Sequence, residues 1–250
     1  MNLQQITPDR FTNSRLLVHE AAGRKLLIKV YLGERRDQRR ELEARKLAHW
    51  RQEGFTVPEM IELSIPGVAD PYLVMEYISG TTLKHFLRSQ ETALEERLAT
   101  LTELFRTNHR RHMLVRSRRD LLLIHTDPNT DNLILRGGNH YFLDFEHSSR
   151  ITEVSLAIAN EVGTFVRRAI RDLGGEHCRA VIEGLLSAYR NDAEIFDRVE
   201  ALTLDRSFQA VHRLKDRWKR LRNARVVTRY DVVDCLRMLR ARPARVQLAV

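Results

Sequence analysis

The pattern of hydrophobic and polar positions divides the chain into a strand-rich first part and a helix-rich second part. Four apolar runs in the first part are typical of β-strands, and they lie at residues 15–19, 25–31, 55–63 and 71–77. Gly23 falls between the first two runs and predicts a hairpin turn. Residues 36–51 are charged and contain no Gly or Pro, so they predict a helix that ends before Gly54.

From residue 82 onward the apolar positions follow a helical spacing. An apolar stripe of this kind is formed by Leu94, Leu98, Leu101 and Phe105. Residues 151–171 predict another helix, and several more are predicted up to residue 240. The predicted fold class is therefore α+β, with residues 1–78 as a small strand-rich lobe and residues 79–250 as a larger helical lobe of one domain.

Residues 205–222 predict a helix with a strongly basic surface. Its apolar face is formed by Phe208, Val211, Leu214, Trp218 and Leu221. Its other faces carry Arg213, Lys215, Arg217, Lys219, Arg220 and Arg222. A surface helix that buries its apolar stripe explains this pattern. Contact of the basic face with an anionic glycolipid or with the inner membrane surface is the functional alternative.

Composition limits the class of protein without identifying its function. A hydrophobic fraction of 43% and a charged fraction of 30% are ordinary for a soluble globular protein of 250 residues. The net charge of +9 favours anionic partners, but ATP, nucleic acid and membranes all meet that description. We expect no nucleic acid as the main partner, because the basic residues are not interleaved with aromatic ones and no recognition motif is present.

The N-terminal segment and the cysteines predict a cytoplasmic protein. The first ten residues lack the charged start and apolar core of a signal peptide. No apolar run approaches the roughly 18 residues of a membrane-spanning helix. Cys178 and Cys235 have no metal-binding or redox spacing, which favours a reducing compartment. The basic charge is also compatible with peripheral binding at the inner face of the membrane.

The most informative segment is residues 121–146, with the sequence LLLIHTDPNTDNLILRGGNHYFLDFE. Four polar residues of this segment adjoin apolar runs: His125, Asp127, Asn132 and Asp144. The apolar runs predict short buried strands, at residues 121–124, 133–135 and 141–143. Asp and Asn are also common in turns, but their combined spacing favours polar groups gathered in one cleft.

The spacing H-x-D-x-x-x-x-N followed by D-F resembles the catalytic loop and the metal-binding segment of the protein-kinase-like superfamily. The resemblance implies a two-lobed fold and phosphate transfer, with ATP and Mg²⁺ as cofactors. It also implies that Asp127 orients the acceptor hydroxyl and takes its proton, and that Asn132 and Asp144 bind Mg²⁺. His125 is expected to brace this catalytic set rather than to carry a proton.

Lys29, in the apolar strand LLIKVY, resembles the phosphate-binding lysine of the superfamily motif V-A-I-K. A solvent-facing lysine is the alternative. Its partner is expected on the following helix, where Glu41 and Glu43 both qualify but differ by about 200° around the helix axis. Glu43 is favoured because it shares its face with Leu47 and Trp50.

The segment PYLVMEYISGTTL resembles the linker between the lobes of small atypical kinases. Backbone groups of Met75, Glu76 and Tyr77 are expected to bind adenine there. A buried strand followed by a turn is the structural alternative.

Several departures from the superfamily pattern indicate an atypical member. No G-x-G-x-x-G precedes Lys29, so residues 11–14 are the candidates for phosphate contact. Asp144 begins D-F-E rather than D-F-G, no A-P-E follows, and a predicted helix begins soon afterwards. The pattern is similar to RIO-type kinases, aminoglycoside phosphotransferases and lipopolysaccharide-core Kdo/heptose kinases, over roughly residues 25–170.

Three functions are compatible with this resemblance. The first is an atypical kinase that phosphorylates a hydroxyl of a lipopolysaccharide-core sugar or of another non-peptide acceptor, because no long peptide-docking segment follows Asp144. The second is a RIO-like Ser/Thr protein kinase, for which Ser148 and Ser149 are candidate self-targets. The third is a nucleotide-binding pseudokinase, which the complete set of candidate catalytic residues disfavours.

Overall fold

The computed structural model describes residues 3–6, 13–21, 23–190, 192–204 and 227–241. It confirms the α+β class, because a four-stranded sheet lies near the N-terminus and most of the remainder is helical. The predicted basic helix at residues 205–222 lies outside the described residues. Residues 11 and 12 of the predicted phosphate-binding segment also lie outside them.

The first sheet is antiparallel and has the order β1-β2-β3-β4. Its strands are β1 (Leu3–Gln5), β2 (Ser14–Ala21), β3 (Arg24–Tyr31) and β4 (Tyr72–Glu76). Gly23 forms the turn between β2 and β3 with a φ of 73°, a left-handed conformation that glycine adopts without steric cost. The strands predicted at residues 15–19, 25–31 and 71–77 are confirmed.

The two faces of strand β3 carry different side chains, and residues of both faces are buried. One face supplies Ile28 and Val30 to a core cluster that also contains Leu17, Leu26, Ile65 and Val74. Because side chains alternate along a strand, Lys29 and Tyr31 point to the opposite face. The predicted helix at residues 36–51 is confirmed as α1 (Arg36–Gln52), which packs against β3.

The prediction of a strand at residues 55–63 is wrong. The segment is irregular, and among the described residues its β-pairing is limited to an isolated bridge between Met60 and Met75. Pro58 accounts for part of the difference, because proline has no N–H to donate to a sheet ladder. Phe55 is nevertheless buried, which explains the apolar pattern that prompted the prediction.

The prediction of a strand at residues 121–124 is also wrong. A 3₁₀-helix (Leu121–Leu123) forms instead, and the carboxylate of Asp120 accepts the N–H of Leu122 at 3.0 Å. A side-chain cap of this kind offers the backbone a local alternative to sheet pairing.

A second sheet contains the other two strands predicted in the central segment. It is antiparallel, with the order β5 (Thr81–Thr82), β6 (Leu133–Arg136) and β7 (Asn139–Phe142). Gly80 lies so close to this sheet that a Cβ atom there would collide with the carbonyl oxygen of Leu135. A glycine is therefore required where the chain passes β6.

The described helices of the remainder are α2 (Leu83–Arg88), α3 (Leu94–Arg118), α4 (Val154–Leu173), α5 (Cys178–Ala188), α6 (Ala193–Leu204) and α7 (Arg229–Arg240). Helix α3 packs against α5, and α4 packs against α6 and α7. The helices predicted from residue 94 and at residues 151–171 are confirmed. Within the part of the chain that the structure describes, no helix is long and apolar enough to cross a membrane.

The chain divides into two compact units. The first unit comprises residues 1–83, 125–127 and 131–150, and the second comprises residues 84–124, 128–130 and 151–250. The first unit therefore contains Lys29 together with His125, Asp127, Asn132 and Asp144. The predicted lobe boundary after residue 78 stays a prediction.

Candidate active site

Lys29 contacts three carboxylates within the first unit. Its Nζ atom is 2.8 Å from Oε2 of Glu43, 2.7 Å from Oδ1 of Asp144 and 3.6 Å from Oε2 of Glu146. Strand β3 supplies the lysine, α1 supplies the first glutamate, and the segment after β7 supplies the other two carboxylates. Lys29 is only 6% exposed, so these contacts replace water around its ammonium group.

The pKa of Lys29 is raised above its ordinary value. Burial alone favours the neutral amine, but the negative charges of Glu43, Asp144 and Glu146 outweigh that effect. Lys29 is therefore a cation at physiological pH, which suits a group that binds phosphate as a point charge.

Glu43 receives three donors and is almost fully buried. Besides the contact with Lys29, the hydroxyl of Tyr31 donates to its Oε2 at 2.6 Å. The backbone N–H of Phe145 donates to its Oε1 at 3.3 Å. One carboxylate thus joins β3 and α1 to the residue that follows Asp144.

The two candidate glutamates of α1 differ in their surroundings. The side chain of Glu43 is 2% exposed, whereas that of Glu41 is 70% exposed and lies 3.9 Å from Arg40. A rotation of about 200° between positions two residues apart in a helix accounts for the difference. The structure brings Glu43, and not Glu41, to Lys29.

Asp144 has a backbone conformation that few non-glycine residues adopt. Its φ is 65°, in the left-handed region, which costs about 1–2 kcal/mol for a residue with a side chain. Burial raises the pKa of its carboxyl group, but the charge of Lys29 outweighs burial and the pKa is lowered. Asp144 is therefore an anion held in a strained conformation, and such strain clusters at functional sites.

Asp127 and Asn132 contact each other directly. The amide nitrogen of Asn132 donates to Oδ2 and to the carbonyl oxygen of Asp127, in both cases at 3.1 Å. A 3₁₀-helix (Thr130–Asn132) turns the loop so that two residues five positions apart meet. The N–H of Leu143 donates to the carbonyl of Asn132 at 2.9 Å, which joins this loop to the segment that carries Asp144.

His125 is buried and packs among aromatic rings. Its Nε2 donates to the carbonyl of Leu143 at 2.8 Å. The ring centroid of Trp50 lies 5.9 Å from that of His125 and 4.7 Å from that of Phe145. This environment fits a structural brace, because a buried ring hydrogen-bonded to the backbone is poorly placed to exchange a proton with an acceptor.

Helix α1 holds the three residues that follow Asp144 with side chains from one face. The contacts are Glu43 with the N–H of Phe145, Arg39 with the carboxylate of Glu146 at 3.3 Å, and Lys46 with the carbonyl of His147 at 3.2 Å. Their spacing of four and three residues places the three side chains on the same side of the helix. Of these three side chains of α1, only Glu43 was expected at the site from the sequence.

The predicted adenine-binding linker overlaps the end of β4, because Met75 and Glu76 are the last two residues of that strand and Tyr77 follows it. The N–H of Glu76 donates to the carbonyl of Glu59 at 2.8 Å, and the N–H of Tyr77 donates to the carbonyl of Lys25 at 3.2 Å. Met75 is buried within the sheet. Because these two N–H groups already have acceptors in the protein, carbonyl groups are the better candidates for contact with a base.

Thr130, three residues after Asp127, is held by a buried aspartate of the second unit. Its hydroxyl donates to Oδ2 of Asp172, near the end of α4. Arg88 and Arg171 donate to the same carboxylate group at 2.7 and 3.2 Å. Burial raises the pKa of Asp172, but these hydrogen bonds outweigh burial and lower it. No sequence pattern singled out Asp172.

Asp144 and Asn132 each have an oxygen atom that could ligate a magnesium ion. Lys29 contacts one carboxylate oxygen of Asp144, and the amide nitrogen of Asn132 is the atom that faces Asp127. The second carboxylate oxygen of Asp144 and the amide oxygen of Asn132 are therefore the ones suited to ligate a cation. Carboxylate and amide oxygens are the ligands that Mg²⁺ prefers.

Comparison with known sequences gives one partial relationship. No family model matches the chain. The KEOPS complex subunit Bud32 of Pyrococcus abyssi (strain GE5 / Orsay) is 34% identical over 110 residues. The aligned segment covers 44% of this chain and 44% of that protein, so the chain matches less than half the length of this relative.

Comparison with solved structures gives a broader match. WaaP in complex with acyl carrier protein superposes with a TM-score of 0.51 at 12% sequence identity. The match covers 79% of this chain and 86% of that one. At this level of identity the likeness establishes a shared fold.

Proposed function

We propose that this chain, which has the fold of the atypical protein-kinase-like superfamily, transfers the γ-phosphate of ATP to a hydroxyl group. The observation that carries the proposal is the contact of Lys29 with Asp144 at 2.7 Å, in the unit that also contains the hydrogen-bonded pair of Asp127 and Asn132. Phosphoryl transfer requires a cation for the phosphates, oxygen ligands for a metal and a carboxylate for the acceptor. These four residues supply all three.

Each side chain has a distinct role in this proposal. Lys29 would bind the nucleotide phosphates, and Glu43 would fix the position of its ammonium group. Asp144 and Asn132 would hold Mg²⁺, which would offset the charge that develops on the transferred phosphoryl group. Asp127 would orient the acceptor hydroxyl and accept its proton.

The nucleotide would be held at two further places. We propose that adenine binds at the linker formed by Met75, Glu76 and Tyr77, where backbone carbonyl groups of the linker accept hydrogen bonds from the base. Residues 11–14 precede or begin β2 and remain the proposed contact for the phosphates, with backbone N–H groups in the place of a glycine-rich loop.

The leading acceptor is a sugar hydroxyl of the lipopolysaccharide core or another non-peptide hydroxyl. Only residues 145–153 separate Asp144 from α4, which leaves little chain to dock an extended peptide. The net charge of +9 suits an acceptor that carries anionic groups, including a glycolipid at the inner face of a membrane. Location in the cytoplasm or at that membrane face is part of the same proposal.

A transfer assay tests this function. The chain would be incubated with γ-labelled ATP, Mg²⁺ and a lipopolysaccharide-core glycolipid, and the label would be located by mass spectrometry. We expect a phosphate ester on the sugar, and we expect its loss in Asp127→Asn. ATP that remains intact in every mixture would contradict the proposal and would favour a nucleotide-binding pseudokinase.

The second candidate is a RIO-like Ser/Thr protein kinase. The partial similarity to a KEOPS complex subunit favours it, because a subunit of a protein complex has proteins within reach. Ser148 is exposed four residues after Asp144 and is the candidate self-target in that case. Phosphoserine on the chain, without label on the glycolipid, would select this candidate.

A further inference from the structure

Glu146 is a second anion beside the lysine of the candidate site. It occupies the third position of the D-F-E triplet and is 8% exposed. Its Oε2 atom is 3.6 Å from Nζ of Lys29. A buried carboxylate at this distance can compete with a phosphate group for the same ammonium group, since little water screens the attraction.

Arg39 supplies the charge that balances Glu146. Its Nη1 donates to Oε2 of Glu146 at 3.3 Å, which is the same oxygen that lies near Lys29. His147 is 3.5 Å from the other carboxylate oxygen, but it carries a charge only when protonated. Arg39 is therefore the permanent cation, other than Lys29, that contacts this carboxylate among the described residues.

The position of Arg39 does not depend on Glu146 alone. Its Nη2 donates to the carbonyl of Asn13 at 2.8 Å and also to the carbonyl of Leu32. The guanidinium carbon lies 5.9 Å from the centre of the Tyr31 ring. These contacts, with the residue before β2, the residue after β3 and the last residue of β3, hold the guanidinium group independently of Glu146.

We propose that Arg39 is a positioning residue that shares the Oε2 atom of Glu146 with Lys29, limits how closely those two pair, and so keeps the lysine available to nucleotide phosphate. The inference rests on the proposed function, because it assumes that Lys29 binds ATP. Without Arg39, Lys29 is left as the permanent cation beside Glu146, and the two would pair more closely. Phosphate would then have to displace a carboxylate that the native protein keeps neutralised.

A compensating pair of variants distinguishes this role from a purely structural one. Arg39→Met removes the charge and should weaken binding of a Mg²⁺-bound, non-hydrolysable ATP analogue by about tenfold, as loss of one member of a buried charge pair does. Adding Glu146→Gln removes the competing carboxylate, so the double variant should return to within about threefold of the wild type. If Arg39 served only to anchor the carbonyls of Asn13 and Leu32, Glu146→Gln would give no such rescue.

Two single variants complete the set. Glu146→Gln alone retains the Arg39 contacts with backbone carbonyls and removes a competitor, so it should bind the analogue about threefold more tightly. This variant keeps the inference testable if Arg39→Met fails to fold. Arg40→Met is the matched control, because Arg40 is the neighbouring arginine of α1 and, among the described residues, forms an ion pair with Glu41 at 3.9 Å and none with Glu146. It should bind like the wild type.

The experiment is calorimetric titration of the full chain and these variants with the analogue in the presence of Mg²⁺. Rescue of Arg39→Met by Glu146→Gln is the expected result. Equal weakening of the single and double variants, or weaker binding by Glu146→Gln alone, would overturn the inference while the wild type still binds. A wild type that binds no analogue would overturn the proposed function as well.

Discussion

The hydroxyl of Tyr31 donates a hydrogen bond of 2.6 Å to the buried carboxylate of Glu43. Tyr31 lies two residues after Lys29 on the same face of β3, so both donors reach the same carboxylate oxygen. Burial and the charge of Glu43 raise the pKa of Tyr31, which keeps its hydroxyl protonated as a donor. The position of the carboxylate is thus set from β3 by two side chains.

Tyr31→Phe should weaken both the fold and the candidate site. A hydrogen bond to a charged acceptor contributes about 1.5–3 kcal/mol to the free energy of unfolding, and its loss leaves Glu43 less well fixed. Urea unfolding measures the first effect, and titration with a Mg²⁺-bound ATP analogue measures the second.

Tyr72→Phe is the matched control for that change. The Tyr72 hydroxyl accepts a hydrogen bond from the neutral backbone N–H of Ile65 at 2.8 Å. Loss of this hydrogen bond should lower the free energy of unfolding by about 0.5–1.5 kcal/mol and leave nucleotide affinity unchanged. Equal effects of the two variants on nucleotide affinity would contradict the role assigned to Tyr31.

Glu43→Gln should reduce nucleotide turnover by at least about tenfold, because the neutral amide binds the Lys29 ammonium group weakly and cannot accept all three donors as a carboxylate does. Glu41→Gln changes the same residue type one half-turn away and should leave turnover unchanged, since Glu41 is 70% exposed. A steady-state assay of ADP release compares them. A similar loss of turnover in both variants would show that turnover does not depend on the pairing of Glu43 with Lys29.

The sequence predicts Lys29, Glu43, Asp127, Asn132 and Asp144 as one set because each has a local signal. Lysine interrupts an apolar strand, and the acidic and amide residues adjoin apolar runs at a recognisable spacing. The choice of Glu43 over Glu41 also follows from local periodicity, since Glu43 shares its helix face with Leu47 and Trp50.

Other residues of the candidate site have no such local signal. Arg39 and Glu146 are 107 residues apart, and each appears in the sequence as one charge among many. Lys46 is 1% exposed, although the many charged residues of α1 are typical of a surface helix. Their roles depend on which distant segment packs against α1, and periodicity in one helix carries no information about that.

Thr130→Val should lower kcat by about tenfold with little change in the KM for ATP. The variant removes the hydrogen bond to Asp172 and releases a loop residue three positions from Asp127, and small shifts of a catalytic group are costly. Thr203→Val is the control, because its buried hydroxyl donates, within the part of the chain that the structure describes, to the carbonyl four residues earlier in α6. An unchanged kcat in Thr130→Val would contradict a positioning role for Asp172.

Glu161→Gln should destabilise the second unit. Arg111 is fully buried and pairs with Glu161 while also donating to the carbonyl of Leu123. Breaking a buried pair from one side costs about 3–5 kcal/mol, because it leaves a buried charge uncompensated. Glu183→Gln breaks an exposed pair with Arg179 and should cost no more than about 0.5 kcal/mol in the same unfolding experiment. If the two variants lost similar amounts of unfolding free energy, burial would not be what makes the Arg111–Glu161 pair important.

The buried residues Glu161 and His112 also predict how the stability of the chain depends on pH. Burial raises the pKa of Glu161, but the charge of Arg111 outweighs it and the pKa is lowered, whereas burial lowers the pKa of His112. Both groups bind protons more readily in the unfolded chain, so stability falls as the pH decreases. The loss begins near 6.5 for His112 and near 4.5 for Glu161, their ordinary pKa values. Glu161→Gln should abolish the lower part of this dependence in unfolding curves measured across that range.

We propose that Asp127, Asn132, Asp144 and Lys29 form a working phosphotransfer site. The most direct measurement is the rate of ADP formation from γ-labelled ATP with Mg²⁺, compared between the wild type and Asp127→Asn. We predict a rate at least about 100-fold lower in the variant, as loss of a general base implies, with unchanged binding of the ATP analogue. A variant that forms ADP as fast as the wild type would contradict the claim.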